Sequence, residues 1–161
     1  MVSNPRRYES RYRLYRDFEQ RMHDAGVRLT TVEVAFGARP FQITDAAHPR
    51  HVQLRTGHEL WIKESALRLG IQRLPDDWQY LAWVDADIHF ARPDWASETL
   101  HQLQHHPIVQ LWSEAVDLSP RHEIVQQHKS FAWCYQQGLP THECNGQYHV
   151  KKRLNINHWH P

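Results

Sequence analysis

Gln79-Tyr-Leu-Ala-Trp-Val-Asp-Ala-Asp-Ile-His-Phe90 is the stretch on which the fold turns. A largely apolar run ends on two carboxylates one residue apart, Asp85 and Asp87, and reads as a buried strand that delivers both acids at its end. In open α/β sheets ligands gather outside the carboxyl ends of strands, so acids placed there meet a ligand rather than the core. The tripeptide alone is weak, because Asp-x-Asp arises by chance on the order of once every few hundred residues. Its meaning comes from the apolar residues in front of it.

Working outward, the chain alternates between helix and strand signals. Asn4 is a good N-cap and Pro5 suits a first helical position, and Tyr8, Tyr12, Tyr15, Phe18 and Met22 then recur at spacings of three and four as far as Gly26. Arg28 to Phe36 is rich in β-branched and apolar residues and reads as a strand, with Glu33 its one acid. Short extended pieces follow at Phe41 to Thr44 and His51 to Arg55. A helix runs from His58 to Leu69 and is stopped by Gly70. After Asp87, Asp94 can cap a helix to His105, and Ile108 to Trp112 reads as a further strand. Such alternation predicts an α/β fold with a mainly parallel, Rossmann-like sheet flanked by helices. One domain over 1–161 is expected, with 119–161 its irregular part: His122 to Gln137 has helical character and Gln147 to Arg153 strand character.

Composition narrows the class. The chain has 161 residues, 40% of them hydrophobic and 11% aromatic, which is enough for one real core. Nineteen Lys and Arg nearly balance 18 Asp and Glu, so no global field selects nucleic acid or an anionic membrane as partner. Two cysteines, Cys134 and Cys144, make no disulfide framework, and no apolar run is long enough for a membrane span. A cytoplasmic setting is the expectation.

The chemistry is carried by few groups. Adjacent carboxylates repel, so a chain carries such a pair either in solvent, as in a polar turn, or around a cation. Hard cations such as Mg²⁺ and Mn²⁺ take oxygen ligands and are shared with substrate phosphates. The 14 histidines offer a competing metal site. However, Cys134, His142, Cys144, His149, His158 and His160 match no standard zinc spacing, and His101 with His105 reads as an exposed helix face. Arg6, Arg7 and Arg11 open the first helix, where the dipole favours an anion but a solvated face is the plainer reading. There is no glycine-rich phosphate loop and no Gly-x-Ser-x-Gly elbow.

Taken together, Trp61-Ile-Lys-Glu64, Leu69-Gly-Ile-Gln-Arg-Leu-Pro75, Asp77-Trp78 and Tyr80 to Phe90 resemble nucleotide-sugar glycosyltransferases of the GT-A fold, in particular small bacterial and phage members. Ser3-Asn4-Pro5 with Arg7-Tyr8 is similar to the first strand-to-helix turn of such proteins. The resemblance spans about residues 2 to 113. It implies a nucleotide-diphosphate sugar donor, commonly a UDP-sugar, with Mn²⁺ or Mg²⁺ bridging the diphosphate to Asp85 and Asp87. It further implies that Ser3, Asn4, Arg7 and Glu33 lie near the nucleotide, that Lys63 sits on the helix flanking the donor pocket, and that a late histidine, His158 or His160, completes the metal site.

The chain also departs from that pattern. Only Met1-Val2 precede the first turn where a full strand is usual, and the acceptor-binding half expected after His158-Trp159-His160-Pro161 does not follow, so both ends read as cuts. No residue takes the role of general base; Glu114, Asp117 and Glu123 are the candidates, and inverting and retaining outcomes both stay open. Two alternatives to a glycosyltransferase remain at this level. One is an inactive nucleotide- or protein-binding module of the same fold. The other is a metal-dependent nucleotidyl or phosphoryl transferase, since paired acids on a strand serve that chemistry too.

Overall fold

A computed structural model describes residues 1–139. The chain divides into two compact units, 1–100 and 101–161. In the first, a three-stranded parallel sheet is formed by β1 (Val2–Ser3), β2 (Thr31–Phe36) and β3 (His51–Thr56), with β2 in the middle. Val2 lies opposite Glu33, and Thr31 to Phe36 run in register with His51 to Thr56. Helix α1 (Glu9–Asp24) joins β1 to β2, α2 (Lys63–Ile71) follows β3, and α3 (Trp95–Leu103) contains the division between the units. The α/β class and the parallel sheet therefore stand as expected.

β2 is buried along its whole length because both of its faces are covered. Val32, Val34 and Phe36 point to one face and pack with Ala66 of α2, joined by Met1, Val52, Leu54 and Ile62. The alternate residues Thr31, Glu33 and Ala35 point to the other face, where the Tyr15 hydroxyl of α1 lies 2.7 Å from Thr31 Oγ1. Phe18 and Met22 extend that buried stripe, whereas Tyr8 is exposed. Gly70 sits so close to Val32 that an added Cβ would come within 2.7 Å of its side chain. It therefore lies inside α2 as a packing residue, and the helix continues past the point at which a glycine stop was expected.

Several expected boundaries shift for local reasons. α1 begins at Glu9 rather than at Pro5. Arg7 takes a left-handed backbone (φ 58°) that no helix can include, and the Asn4 side chain brackets Tyr8, accepting from its N–H at 3.0 Å and donating to its carbonyl at 2.9 Å. Phe41 to Thr44 is not a strand, because its amides turn toward Glu33. Asp94 precedes α3, but its carboxylate binds the Arg92 guanidinium at 2.6 and 2.9 Å instead of capping.

The largest correction concerns Gln79 to Phe90, which forms no strand: it is irregular, with a turn at Ala86–Asp87. A strand needs a ladder of donors and acceptors beside it. β1 contributes only Val2 and Ser3, β2 is already paired on both sides, and Gln79 to Phe90 does not pair with the outer edge of β3. The segment is held by other means, including the Arg21 guanidinium of α1, which donates to the Ile88 carbonyl at 3.2 Å.

In the second unit, Ile108 to Trp112 is likewise not a strand. The strands fall at β4 (Glu114–Leu118) and β5 (Ile124–Lys129), an antiparallel hairpin, and α4 (Phe131–Gln136) follows. The expected helix over 122–137 is thus split: its first half is the strand β5, and only Phe131–Gln136 is helical. The Ser119-Pro120-Arg121-His122 turn, with His122 at φ 62°, reverses the chain, and β-branched Ile124 and Val125 enter the return strand. Ser130 caps α4 by accepting from the Trp133 N–H at 3.0 Å.

Candidate functional site

Three connections leave the carboxyl ends of the parallel strands: residues 4–8 after β1, 37–50 after β2 and 57–62 after β3. Between them lies an open cleft of about 560 Å³, lined by Arg7, Phe36, Gly37, Arg39, Gly57 and Glu59 among others. This is where an open α/β sheet places its ligand. The cleft carries two guanidinium groups. Arg39 is oriented by donating to the Pro5 carbonyl and by lying over the Phe36 ring at 5.9 Å. Nearby, Arg55 ties the cleft's floor together through the carbonyls of Gly37 and Arg39, with its guanidinium over Phe41.

Neither Lys63 nor Asp85 lines this cleft; the two meet at the head of α2. Gly70, near the end of α2, packs on Val32 at the start of β2, so the helix runs back along the sheet and Lys63 is left toward the carboxyl end. There the Lys63 ammonium pairs with Asp85 Oδ1, closing a contact across 22 residues of sequence. The Met1 amine lies near enough to feel both charges. Burial lowers its pKa, the Asp85 carboxylate opposes that shift and Lys63 adds to it. Asp87 is exposed in the turn that follows.

Two carboxylates on an accessible turn supply the hard oxygen donors, with open positions, that Mg²⁺ or Mn²⁺ uses when it shares its shell with water and phosphate. The donor chemistry fits such a cation, and Asp85 and Asp87 are the residues that would hold it. Among the described residues no group of three or more His, Cys, Asp or Glu converges as a metal cage. His158 and His160 lie outside the described residues, as do His142, Cys144 and His149.

Glu33 has a different employment. Its buried carboxylate accepts from the backbone N–H of Gln42 (2.7 Å), Ile43 (3.2 Å) and Thr44 (2.9 Å) and from the Thr44 hydroxyl (2.6 Å). Three successive amides form an anion-binding concavity, and Glu33 fills it from within. Ser3 forms the end of β1 opposite Val34, and its carbonyl accepts from Arg11 at 3.5 Å. Asn4 shapes the turn that carries Arg7 into the cleft. The structure thus gathers Arg7 at the cleft and joins Lys63 to Asp85, while Glu33 and Asn4 act on the loops around them.

Phe36, Gly37, Arg39, Gly57 and Glu59 belong to no motif and were not expected at a site. Their signal was positional, since each follows or closes a strand at its carboxyl end. The three base candidates are all engaged within the hairpin. Glu114 pairs with Lys129 and accepts from Gln127, Asp117 lies 2.8 Å from His128 Nε2, and Glu123 contacts Ser119. No family model, curated protein or solved structure matches the chain. No helix among the described residues is long and apolar enough to cross a membrane.

Proposed function

We propose that this chain is a GT-A-like, metal-dependent glycosyltransferase domain that takes its sugar from a nucleotide-diphosphate donor, a UDP-sugar, and passes it to an acceptor hydroxyl. The observation that carries the reading is the Lys63–Asp85 contact beside a parallel sheet. It joins the Trp61-to-Glu64 motif to the Asp-Ala-Asp motif, the two segments whose combination is most like that family.

In this reading Asp85 and Asp87 hold Mn²⁺ or Mg²⁺, which supplies charge neutralisation for the diphosphate leaving group. Arg7 and Arg39 bring fixed positive charge to a cleft that has to accept an anionic nucleotide. Transfer breaks the bond between the anomeric carbon and the diphosphate oxygen and forms one to the acceptor oxygen. Asn4 and Glu33 serve this indirectly by fixing the turn that bears Arg7 and the segment that follows the cleft. A cytoplasmic location belongs to the same reading, on the lack of a disulfide framework among two cysteines.

One observation favours a second reading, a binding module without turnover: Glu114, Asp117 and Glu123 are each engaged inside the hairpin. Calorimetric titration of UDP, with and without Mn²⁺, tests the main proposal on the wild type and on Asp87→Ala. Binding should require the cation and weaken at least about tenfold in the variant. Metal-independent binding that ignores the substitution would sink it. Cation-dependent binding with donor hydrolysis and transfer at background would establish the module instead.

A further inference from the structure

We infer that Lys63 and a divalent cation compete for Asp85, and that the displaced Lys63 ammonium then serves the diphosphate, so that one side chain couples cation loading to donor binding. The inference rests on the proposed metal site at Asp85 and Asp87 and adds a residue that regulates it.

The two partners of the pair are anchored unequally. Lys63 is the first residue of α2, and that helix is locked to the sheet by Ile62, Ala66 and Gly70 against the β2 face. Asp85 stands in a stretch without a strand ladder, just before the Ala86–Asp87 turn, and its side chain is 60% exposed against 31% for Lys63. The acid can therefore turn while the backbone bearing the ammonium stays in place.

Charge decides between the two occupants. The ammonium sits directly on Asp85 Oδ1. A dication taken up by the remaining Asp85 oxygen and by Asp87 would come within a few ångström of that ammonium. Their repulsion exceeds what an exposed ion pair gains, so the ammonium leaves. Two carboxylates and one dication then sum to zero, which leaves the charge of a bound diphosphate to be met by the protein's own cations. The released ammonium is still tethered at the head of α2, where the first-turn amides and the helix dipole also favour an anion. In the cation-free protein Lys63 keeps Asp85 satisfied, and in the loaded protein it faces the phosphates.

The test uses the full chain and Mn²⁺ alone, titrated by electron paramagnetic resonance of the free ion, before any nucleotide is added. Lys63→Met, and Lys63→Gln as a second neutral variant, should bind Mn²⁺ about threefold or more tighter than the wild type because the competitor is gone. Lys63→Arg, which keeps the charge, should stay near the wild type, and Asp85→Asn should bind more weakly. At saturating Mn²⁺ the order reverses, and the neutral variants should bind UDP about tenfold more weakly. Unchanged or weaker Mn²⁺ binding by neutral variants that melt like the wild type overturns the competition, provided Asp85→Asn still loses the ion. If Asp85→Asn binds Mn²⁺ as the wild type does, the metal site is misplaced and the competition falls with it.

Discussion

β2 and the Gln79–Phe90 stretch carry the same kind of sequence, an apolar run that ends where a ligand would be met, yet only β2 is a strand. Thr31 to Phe36 has a neighbour on each edge and a helix on each face. Gln79 to Phe90 pairs with no strand and leaves Trp83 66% exposed. The difference teaches that a hydrophobic run is a request for partners rather than a secondary structure. It also separates two acids. Glu33, on the completed strand, is sealed in and holds a loop, whereas Asp85, on the unpaired stretch, is accessible and reaches only a side chain.

That contrast predicts a graded series of effects on stability. Glu33→Ala should be the most damaging, because it strands three backbone N–H groups and a hydroxyl in a part-buried site; a loss of roughly 3 kcal/mol in urea unfolding is expected. A loss below about 1 kcal/mol would show that the segment re-solvates and that Glu33 is not its anchor. Gly70→Ala comes next. The new methyl meets Val32, and this outweighs the helix propensity gained, for a net cost of about 1–2 kcal/mol by thermal melting. A stabilised variant would mean that the interface of α2 with β2 yields.

A smaller effect should appear with pH at the amino end of the same sheet. His51 opens β3, its ring lies tilted against that of His48 with centroids 4.0 Å apart, and its Nδ1 accepts from the Asp45 N–H at 2.9 Å. Burial first, and then His48, hold its pKa below the ordinary imidazole value, with Glu19 and Asp45 opposing. The unfolded chain therefore binds the proton more readily than the folded one. The contribution of His51 is complete above pH about 6.5 and is lost as pH falls from there through the lowered folded value. Urea midpoints at pH 7.5 and 5.0 should differ less in His51→Gln than in the wild type. Equal differences would remove His51 from the pH dependence. Least affected should be Asp87→Ala, within about 0.5 kcal/mol of the wild type, since the acid is exposed in a turn. A large loss there would mean that the stretch is structural after all.

Legibility in the chain divides along the same line. α1, β2, β3, α2 and α3 were legible because periodicity and end signals report local preference, and Tyr15, Phe18 and Met22 mark their buried face directly. The 79–85 strand and the 108–112 strand are not formed because pairing is not local: nothing in Leu81 to Val84 says whether a neighbouring edge will take it. Helical character over 122–137 held only in Phe131–Gln136; its first half lost to a turn whose decisive event is one left-handed residue, His122. At the site, Arg7, Lys63 and Asp85 could be picked out because motifs carry them. Arg39 and Glu59 could not, since their relevance comes only from where the strands stop. Glu33 was legible as unusual but not in its role, because its partners are backbone amides of a segment that has no signature.

Gly57 opens another direction. It lines the cleft, its backbone lies outside the left-handed region, and an added Cβ there meets no atom within 4 Å. The position is therefore a vacant attachment point. A methyl, hydroxymethyl or larger group could be installed without straining the chain, and each would trim the cleft by a known volume. For evolution or for a designer, ligand preference at this cleft can be changed by single substitutions at one residue that the fold does not need.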